Sequence, residues 1–259
     1  KDFPRLAAAT GSSNEVKLPQ KALRNLLAQV QFAMAVQDIR YYLNGLLFSL
    51  DGELLRAVAT DGHRLAYAAT ELKTTMKHDV ILPRKSVSEL IKLLADSDEA
   101  VTISIQADKD NKPSQVRFSF SGIELISKIV DGKFPDYTKV IPTNYNKHLD
   151  LNRVTLQQSL QRAAILSNEK IRGVRLVLSK DNLAIICANN EQEEAQEELT
   201  VAYDGEPLDI GFNIAYLQDV LANASSDAVQ LSLGDANSSA LITLPEDKQF
   251  KYVVMPMRI

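Results

Sequence analysis

At 259 residues, 45% hydrophobic and 24% charged, the chain is sized for two domains of about 130 residues and composed like an ordinary soluble globular protein. No stretch approaches the roughly 20 apolar residues that span a bilayer, the first residues do not read as a signal peptide, and the single cysteine, Cys187, excludes a disulfide framework and a cysteine zinc site, which points to the cytoplasm. The net charge of −4 is uneven: 19 Lys and Arg face 17 Asp and Glu over residues 1–140, and 10 face 16 over 141–259, so any contact with nucleic acid uses a local basic face on an acidic body.

Residues 1–15 (KDFPRLAAATGSSNE) read as a linker. A helix is expected from Leu18, with Pro19 in its first turn and Leu23, Leu26, Leu27, Val30 and Met34 on one buried face. Lys21 and Arg24 lie off that face. The stretch Arg40–Leu65 follows: a basic-aromatic cluster, a strand, an Asp-Gly turn, a second strand and the turn Asp61-Gly62-His63-Arg64. DVILP is a short strand. PRKSVSELIKLLAD is a helix with Val87, Leu90, Ile91 and Leu94 inward and Arg84, Lys85 and Lys92 outside. VTISI and VRFSF alternate with period two, and IELISKIV is a further strand.

The order then repeats. RVTLQQSLQRAAILS is a helix with Leu156, Leu160, Ala163 and Ala164 inward, and residues 172–190 form a hairpin. EEAQEELTVAY and LDIGF are strands, and NIAYLQDVLANA is a helix carrying Leu217, Val220 and Leu221. VQLSL, SALITL and FKYVVMPMRI are the last strands. Gly45 aligns with Gly173, and the register holds without a gap for sixteen positions, through Leu50 with Leu178, Leu55 with Leu183 and Asp61 with Asn189. VTISI and VQLSL match at the same offset of 128. The chain is a tandem repeat of an α+β module, each copy with two helices on one face packed on antiparallel sheets.

Asp2-Phe3-Pro4-Arg5 resembles Lys133-Phe134-Pro135-Asp136, 131 residues later. Residues 1–6 therefore read as the tail of a further upstream repeat. The expected organisation is a linker with that tail over 1–15, one domain over 16–138 and another over 139–259.

No catalytic constellation stands out. The three histidines, His63, His78 and His148, lack metal-ligand spacing, and there is no phosphate loop, glycine fingerprint or nucleophile elbow. Asp-Gly makes a turn for backbone reasons, so His63 reads as a turn residue. The expectation is a non-catalytic protein without cofactor or metal. Two other readings stay open at this point: an enzyme of nucleotide metabolism on a duplicated α+β fold, and a scaffold without a DNA role.

RYYLNG at 40–45, ATDGHRLA at 59–66, DGKFPDY at 131–137, RAAILSNEK at 162–170, RGVRL at 172–176, EQEEAQEEL at 191–199 and YVVMPMRI at 252–259 together resemble the bacterial sliding clamp family, the beta subunit of DNA polymerase III. The resemblance covers essentially the whole chain. It implies three clamp domains per full-length chain, of which these would be the second and third, in a homodimeric ring with helices inside and sheets outside. The implied function is a processivity factor that encircles double-stranded DNA without sequence preference. The implied partners are DNA polymerases, the clamp loader and repair proteins that carry short hydrophobic motifs.

Such a ring meets phosphates through sequence-independent charge. Lys21, Arg24, Arg84, Lys85 and Lys92, off the buried stripes, can supply it. By resemblance, Gln37, Arg40, Tyr41 and Tyr42 also reach DNA, Arg40 through phosphate and a tyrosine by stacking. Glu191, Glu193, Glu194, Glu197 and Glu198 would face outward. The resemblance also implies a partner-peptide groove between the second and third domains. Its residues would be Leu43, Thr60, Gly62, His63, Arg64, Leu65, Pro135, Val140, Ile171, Asn213, Tyr216, Ser239, Val253, Val254, Met255, Pro256, Met257 and Arg258. Apolar walls with a few polar groups suit such a site, and methionines let it repack around different partners. Lys139 and Ile171 stand where the family often has an arginine and an aromatic residue, and Asn237 where it is commonly apolar.

Overall fold

The computed structural model describes residues 15–108 and 112–259. The upstream-tail reading of residues 1–6 and the linker reading up to residue 14 lie outside them. The chain divides into two compact units. The first takes the described residues up to Ala59 and Ala69–Phe134; the second takes Thr60–Ala68 and Pro135–Ile259. The segment Thr60–Ala68 thus groups with the second unit although it lies within the sequence of the first.

In chain order, the first repeat runs β1 (Glu15–Pro19), α1 (Gln20–Gln31), β2 (Gly45–Asp51), β3 (Leu54–Thr60), β4 (Arg64–Glu71), β5 (Lys77–Pro83), α2 (Arg84–Leu93), β6 (Ala100–Ala107), β7 (Pro113–Phe120) and β8 (Ile123–Lys128). The first unit holds one antiparallel sheet in the order β1-β6-β7-β8, and a second in which β2 lies between β5 and β3. The β2–β3 turn is built by Asp51, whose Oδ1 accepts from Leu54 N at 3.1 Å, and by Gly52 at φ 100°. That left-handed backbone favours glycine. Helices α1 and α2 pack side by side. Leu23, Leu26, Leu27 and Val30 of α1 are buried, each contributing about 1.5–3 kcal/mol through removal of apolar surface from water. An acidic residue at Leu27 would disrupt this face.

The second repeat runs β9 (Lys147–Asn152), α3 (Arg153–Ala163), β10 (Gly173–Ser179), β11 (Asn182–Ala188), β12 (Glu194–Thr200), β13 (Leu208–Asn213), α4 (Ile214–Asn223), β14 (Ala228–Leu233), β15 (Ala240–Leu244) and β16 (Asp247–Val254). The second unit's sheets have the orders β12-β11-β10-β13 and β4-β16-β15-β14-β9. Strands β10 and β11 reproduce β2 and β3 at the offset of 128. The helix starts also correspond. Gln20, fully buried at the start of α1, accepts from Ala95 N just beyond α2 at 3.1 Å. Arg153, at the start of α3, donates to Leu221 O of α4 at 3.1 Å and to Ser226 O at 2.8 Å. In each unit one polar side chain at the head of one helix bonds the backbone at or just beyond the end of the other.

Several expected boundaries move. Leu18 and Pro19 are not helical: Val16 and Leu18 alternate inward along β1, and antiparallel pairing with β6 captures them. Pro19 (φ −59°, ψ 141°) then precedes the helix. Helix α1 stops at Gln31, and Met34 is buried beyond it. Helix α2 ends at Leu93, where Leu94 turns extended. Helix α3 gives way at Ala164 to a 3₁₀ turn through Leu166. β16 ends at Val254, before Pro256. The sequence reading missed β4 and β9, two strands that complete the second unit's larger sheet.

Candidate functional site

Within the second unit, the Thr60–Arg64 turn is held by its own side chains. Asp61 Oδ1 accepts from His63 N at 2.9 Å and from Arg64 N at 3.1 Å. Thr60 Oγ1 donates to Arg64 O at 2.6 Å and accepts from Gly62 N at 3.1 Å. Gly62 takes φ 91°, which explains a glycine there. This closure pushes His63 outward while Leu65, the first inward residue of β4, pairs with Val253 of β16.

Arg64 is the electrostatic centre. Its side chain is 10% exposed, its Nε lies 3.1 Å from Asp61 Oδ2, and its Nη1 lies 2.5 Å from Asp219 Oδ2. The guanidinium sits 4.5 Å from the ring centre of Tyr216, a cation–π distance. Tyr252, fully buried, donates its hydroxyl to Tyr216 O at 3.0 Å, and Arg64 Nη1 lies 3.5 Å from that hydroxyl. Burial opposes the charge on Arg64, but Tyr252, Asp219 and Asp61 outweigh it and raise its pKa. Burial raises the Tyr252 and Tyr216 hydroxyls above the ordinary tyrosine range.

The segment after β16 borders this network. Met255 N donates to His63 O at 2.9 Å, and Met257 N donates to Gly211 O of β13 at 2.8 Å. Pro256 between them has no N–H to satisfy. Met255 is 48% exposed. Asn213 caps α4, its Oδ1 accepting from Ala215 N at 2.9 Å, and so sets the helix that carries Tyr216 and Asp219.

The groove candidates divide by burial. Gly62, His63, Pro135, Val140, Ile171, Met255 and Arg258 are exposed; Arg64, Asn213, Tyr216, Ser239, Pro256 and Met257 are half-buried. Thr60, Leu65, Val253 and Val254 are buried and form a floor beneath the surface. All of these belong to the second unit, whereas Leu43 belongs to the first, where it is buried. Asp219 and Tyr252 were not found from sequence. The available signal for Asp219 was its spacing: it lies three residues after Tyr216 on α4, on the same helix face.

The DNA candidates lie in the first unit and differ in how far their charge is already engaged. Lys21 Nζ contacts both Asp98 oxygens, at 2.8 and 2.9 Å. Arg40 forks onto Asp38 at 2.8 and 3.0 Å. Arg84 Nη1 donates to Met34 O at 3.0 Å, and Lys92 lies 3.0 Å from Glu89. Arg24 and Lys85 are exposed and have no ion pair among the described residues. Gln37 adopts φ 55° in the loop before the tyrosines. Tyr41 is 56% exposed and meets the half-buried Tyr42 edge-on at 5.9 Å. Of the acidic run, Glu191, Glu193, Glu194 and Glu198 are exposed, while Glu197 is half-buried and held by Arg162, whose Nε lies 2.9 Å from its Oε1. Burial pushes the Cys187 thiol up to about 11, which leaves it protonated and unreactive. Among the described residues, no helix is long and apolar enough to cross a membrane, and no cluster of three or more His, Cys, Asp or Glu could hold a metal.

Comparison with known proteins identifies relatives along the whole chain. Residues 17–136 match the family described as the DNA polymerase III beta subunit, central domain, and residues 138–258 its C-terminal domain. The chain is 46% identical to the beta sliding clamp of Vibrio cholerae and 45% identical to that of Escherichia coli K12, in each case over 100% of this chain and 69% of the relative. Among solved structures, the DNA polymerase III subunit beta of Pseudomonas aeruginosa superposes with a TM-score of 0.93 at 44% identity, covering 100% of this chain and 69% of that one. A Pseudomonas aeruginosa sliding clamp bound to griselimycin gives 0.92 at 44% identity, with coverage of 99% and 68%.

Proposed function

The chain belongs to the DNA polymerase III beta subunit family, the DNA sliding clamps, and on that premise we propose that His63, Tyr216, Met255 and Met257 form its partner-peptide site and that its basic helix faces bear on double-stranded DNA. The family is a non-catalytic processivity factor of the replicative polymerase complex, and this chain is a DNA sliding clamp in that sense.

The observation that carries the peptide-site reading is the fixed network under an exposed apolar rim. Asp61, Asp219 and Tyr252 hold Arg64, which holds Tyr216, while backbone bonds to His63 and Gly211 hold the methionine segment. A preorganised polar base with adaptable thioether walls suits a short hydrophobic motif taken from several partners. The partners of this reading are DNA polymerases, the clamp loader and repair proteins carrying such motifs, and the compartment is the cytoplasm. Griselimycin, bound by the Pseudomonas aeruginosa clamp, is the probe. Titration into this chain should give saturable binding, weakened at least tenfold by His63→Ala with Met255→Ala. No saturable binding, or binding unchanged in that variant, refutes the site.

For DNA, Arg24 and Lys85 supply exposed charge, and the exposed Tyr41 supplies a stacking surface. The ring and homodimer of the full-length protein draw support from the repeat. Strand β4 pairs with β16, the last strand of a repeat; β12 occupies the same place in the second repeat as β4 does in the first. Its outer edge has no partner strand among the described residues, and the turn holding Ile165, 78% exposed, packs beside it. An edge of this kind accepts a last strand from another chain. Full-length protein loaded on circular DNA should be retained and should run off once the DNA is linearised. Equal retention on both forms refutes the ring.

A further inference from the structure

Two glycines of the second unit have no backbone reason to be glycine. Gly173 opens β10 and Gly211 lies in the neighbouring β13; neither has a positive φ. What they leave open is occupied. A Cβ on Gly173 would come 2.9 Å from Ile259 Cδ1, and a Cβ on Gly211 would come 2.5 Å from Met257 O and 2.8 Å from Ile259 Cδ1. All three distances are too short for an added carbon atom, so one face of the Ile259 side chain, which stays 62% exposed, lies in a slot that exists because two adjoining strands lack side chains there.

The first unit supplies the comparison. Its equivalent strands, β2 and β5, pair Gly45 with Pro83 and Leu47 with Ile81; β10 and β13 pair Gly173 with Asn213 and Arg175 with Gly211. The position of Gly211 is therefore that of Ile81. In the first unit Ile81 Cγ2 lies 2.7 Å from where a Cβ of Gly45 would be, and fills the space over that glycine itself. In the second unit that strand position is a glycine, and an isoleucine from the segment after β16 takes the space. The backbone docking is alike as well. Val130, after β8, donates its N–H to Ile81 O at 2.8 Å, and Met257, after β16, donates to Gly211 O at 2.8 Å.

We infer that Ile259 is a plug whose seat is the Gly173–Gly211 slot, and that this plug locks the Met255–Ile259 segment so that Met255 and Met257 are positioned for the partner peptide. The functional half of this inference rests on the proposed peptide site. Gly173, Gly211 and Ile259 are positioning residues, acting through the methionines. The plug works by restricting the segment before a ligand arrives, which lowers the ordering cost of binding.

The two glycines make separable predictions. Gly173→Ala collides only with the Ile259 side chain, whereas Gly211→Ala also collides with the Met257 carbonyl. Griselimycin titration of the chain should give about tenfold weaker binding for Gly173→Ala and for Gly211→Ala, and a several-fold loss for Ile259→Ala. In the Ile259→Ala background, Gly173→Ala should add nothing, while Gly211→Ala should still weaken binding. Full additivity of Gly173→Ala with Ile259→Ala, or wild-type affinity in both single variants, overturns the inference. Ile259→Ala removes one side chain at the surface, so it keeps the test valid if a glycine variant fails to fold. A ligand-independent readout separates this inference from the site proposal. Hydrogen exchange at the Met257 amide should accelerate in Ile259→Ala, and unchanged protection there overturns the lock even if griselimycin does not bind wild-type protein.

Discussion

Arg64 and Asp219 are 155 residues apart in sequence and meet at 2.5 Å, joining the turn before β4 to helix α4 inside the second unit. Arg64 is 10% exposed but Asp219 is 45% exposed, so solvent screens the pair and its worth is that of a partly exposed bridge. Asp219→Ala should lower stability by about 1 kcal/mol, or roughly 2–4 °C in melting temperature. Arg64 would keep Asp61 but would carry a less compensated charge. Removing that charge as well, in Arg64→Met with Asp219→Ala, should cost less than the sum of the single changes, because the loss of the Arg64–Asp219 bridge is then counted once rather than twice. Thermal melts of the three variants check the cycle; strict additivity would separate the two residues energetically.

The buried hydroxyls give the protein an alkaline limit. Burial first, then nearby carboxylates, raise Tyr252 and Tyr216 above the ordinary value of 10.0, while Arg64 pulls the other way. A raised folded pKa means the folded state keeps a proton that the unfolded state releases. The associated stability is complete below pH 10 and is lost as pH rises through the unfolded tyrosine pKa and beyond. Denaturant midpoints should therefore be flat up to about pH 9 and fall from about pH 10. Tyr252→Phe should shallow that fall while lowering stability at pH 7 by about 1 kcal/mol, the worth of its bond to Tyr216 O.

On the DNA side, the ion pairs rank the candidates. Arg24 and Lys85 hold no carboxylate among the described residues, so Arg24→Ala and Lys85→Ala should each reduce the slope of log affinity against log salt by about 1. Lys21→Ala should change it less, because Asp98 competes for that ammonium. The reverse change carries the sharper sign. Asp98→Ala frees Lys21 and removes a negative charge beside it, so affinity for duplex DNA should rise. Fluorescence anisotropy across a salt series reads all four variants, and weaker binding by Asp98→Ala would remove Lys21 from the contact surface.

The repeat was legible because the hairpins at Gly45 and Gly173 kept their register, and turn chemistry at Asp51-Gly52 and Asp61-Gly62 is local. What escaped was set by pairing across the sequence. Val16 and Leu18 carry a two-residue alternation too short to outweigh the helical pattern after them until β6 supplies a partner. The strand at 147–152 sits on the edge of its sheet and shows its inward leucines only at 149 and 151. At the candidate site, resemblance supplied the rim, the floor and Arg64, but not Asp219 and Tyr252, which hold that guanidinium. Asp219 reads as a solvated helix position until Arg64 arrives, and Gly211 reads as a weak point in a strand until Ile259 fills it. Burial also divides residues that a motif treats alike: Leu65 and Met255 both belong to the implied groove, yet one is floor and the other is surface.

That division is itself testable. Leu65 is 2% exposed and pairs with Val253 in the middle of the β4–β16 contact, so Leu65→Ala removes core packing. It should cost about 2–5 kcal/mol of stability, and its effect on ligand binding should follow from that loss, recovering at temperatures well below the melting transition. Met255, 48% exposed, contributes little burial, so Met255→Ala should leave the melting temperature within a degree or so while weakening griselimycin at every temperature. Titrations at two temperatures, set beside melts of the same samples, distinguish the two kinds of residue. A Met255→Ala variant that melts early and binds normally would reverse the assignment of floor and rim.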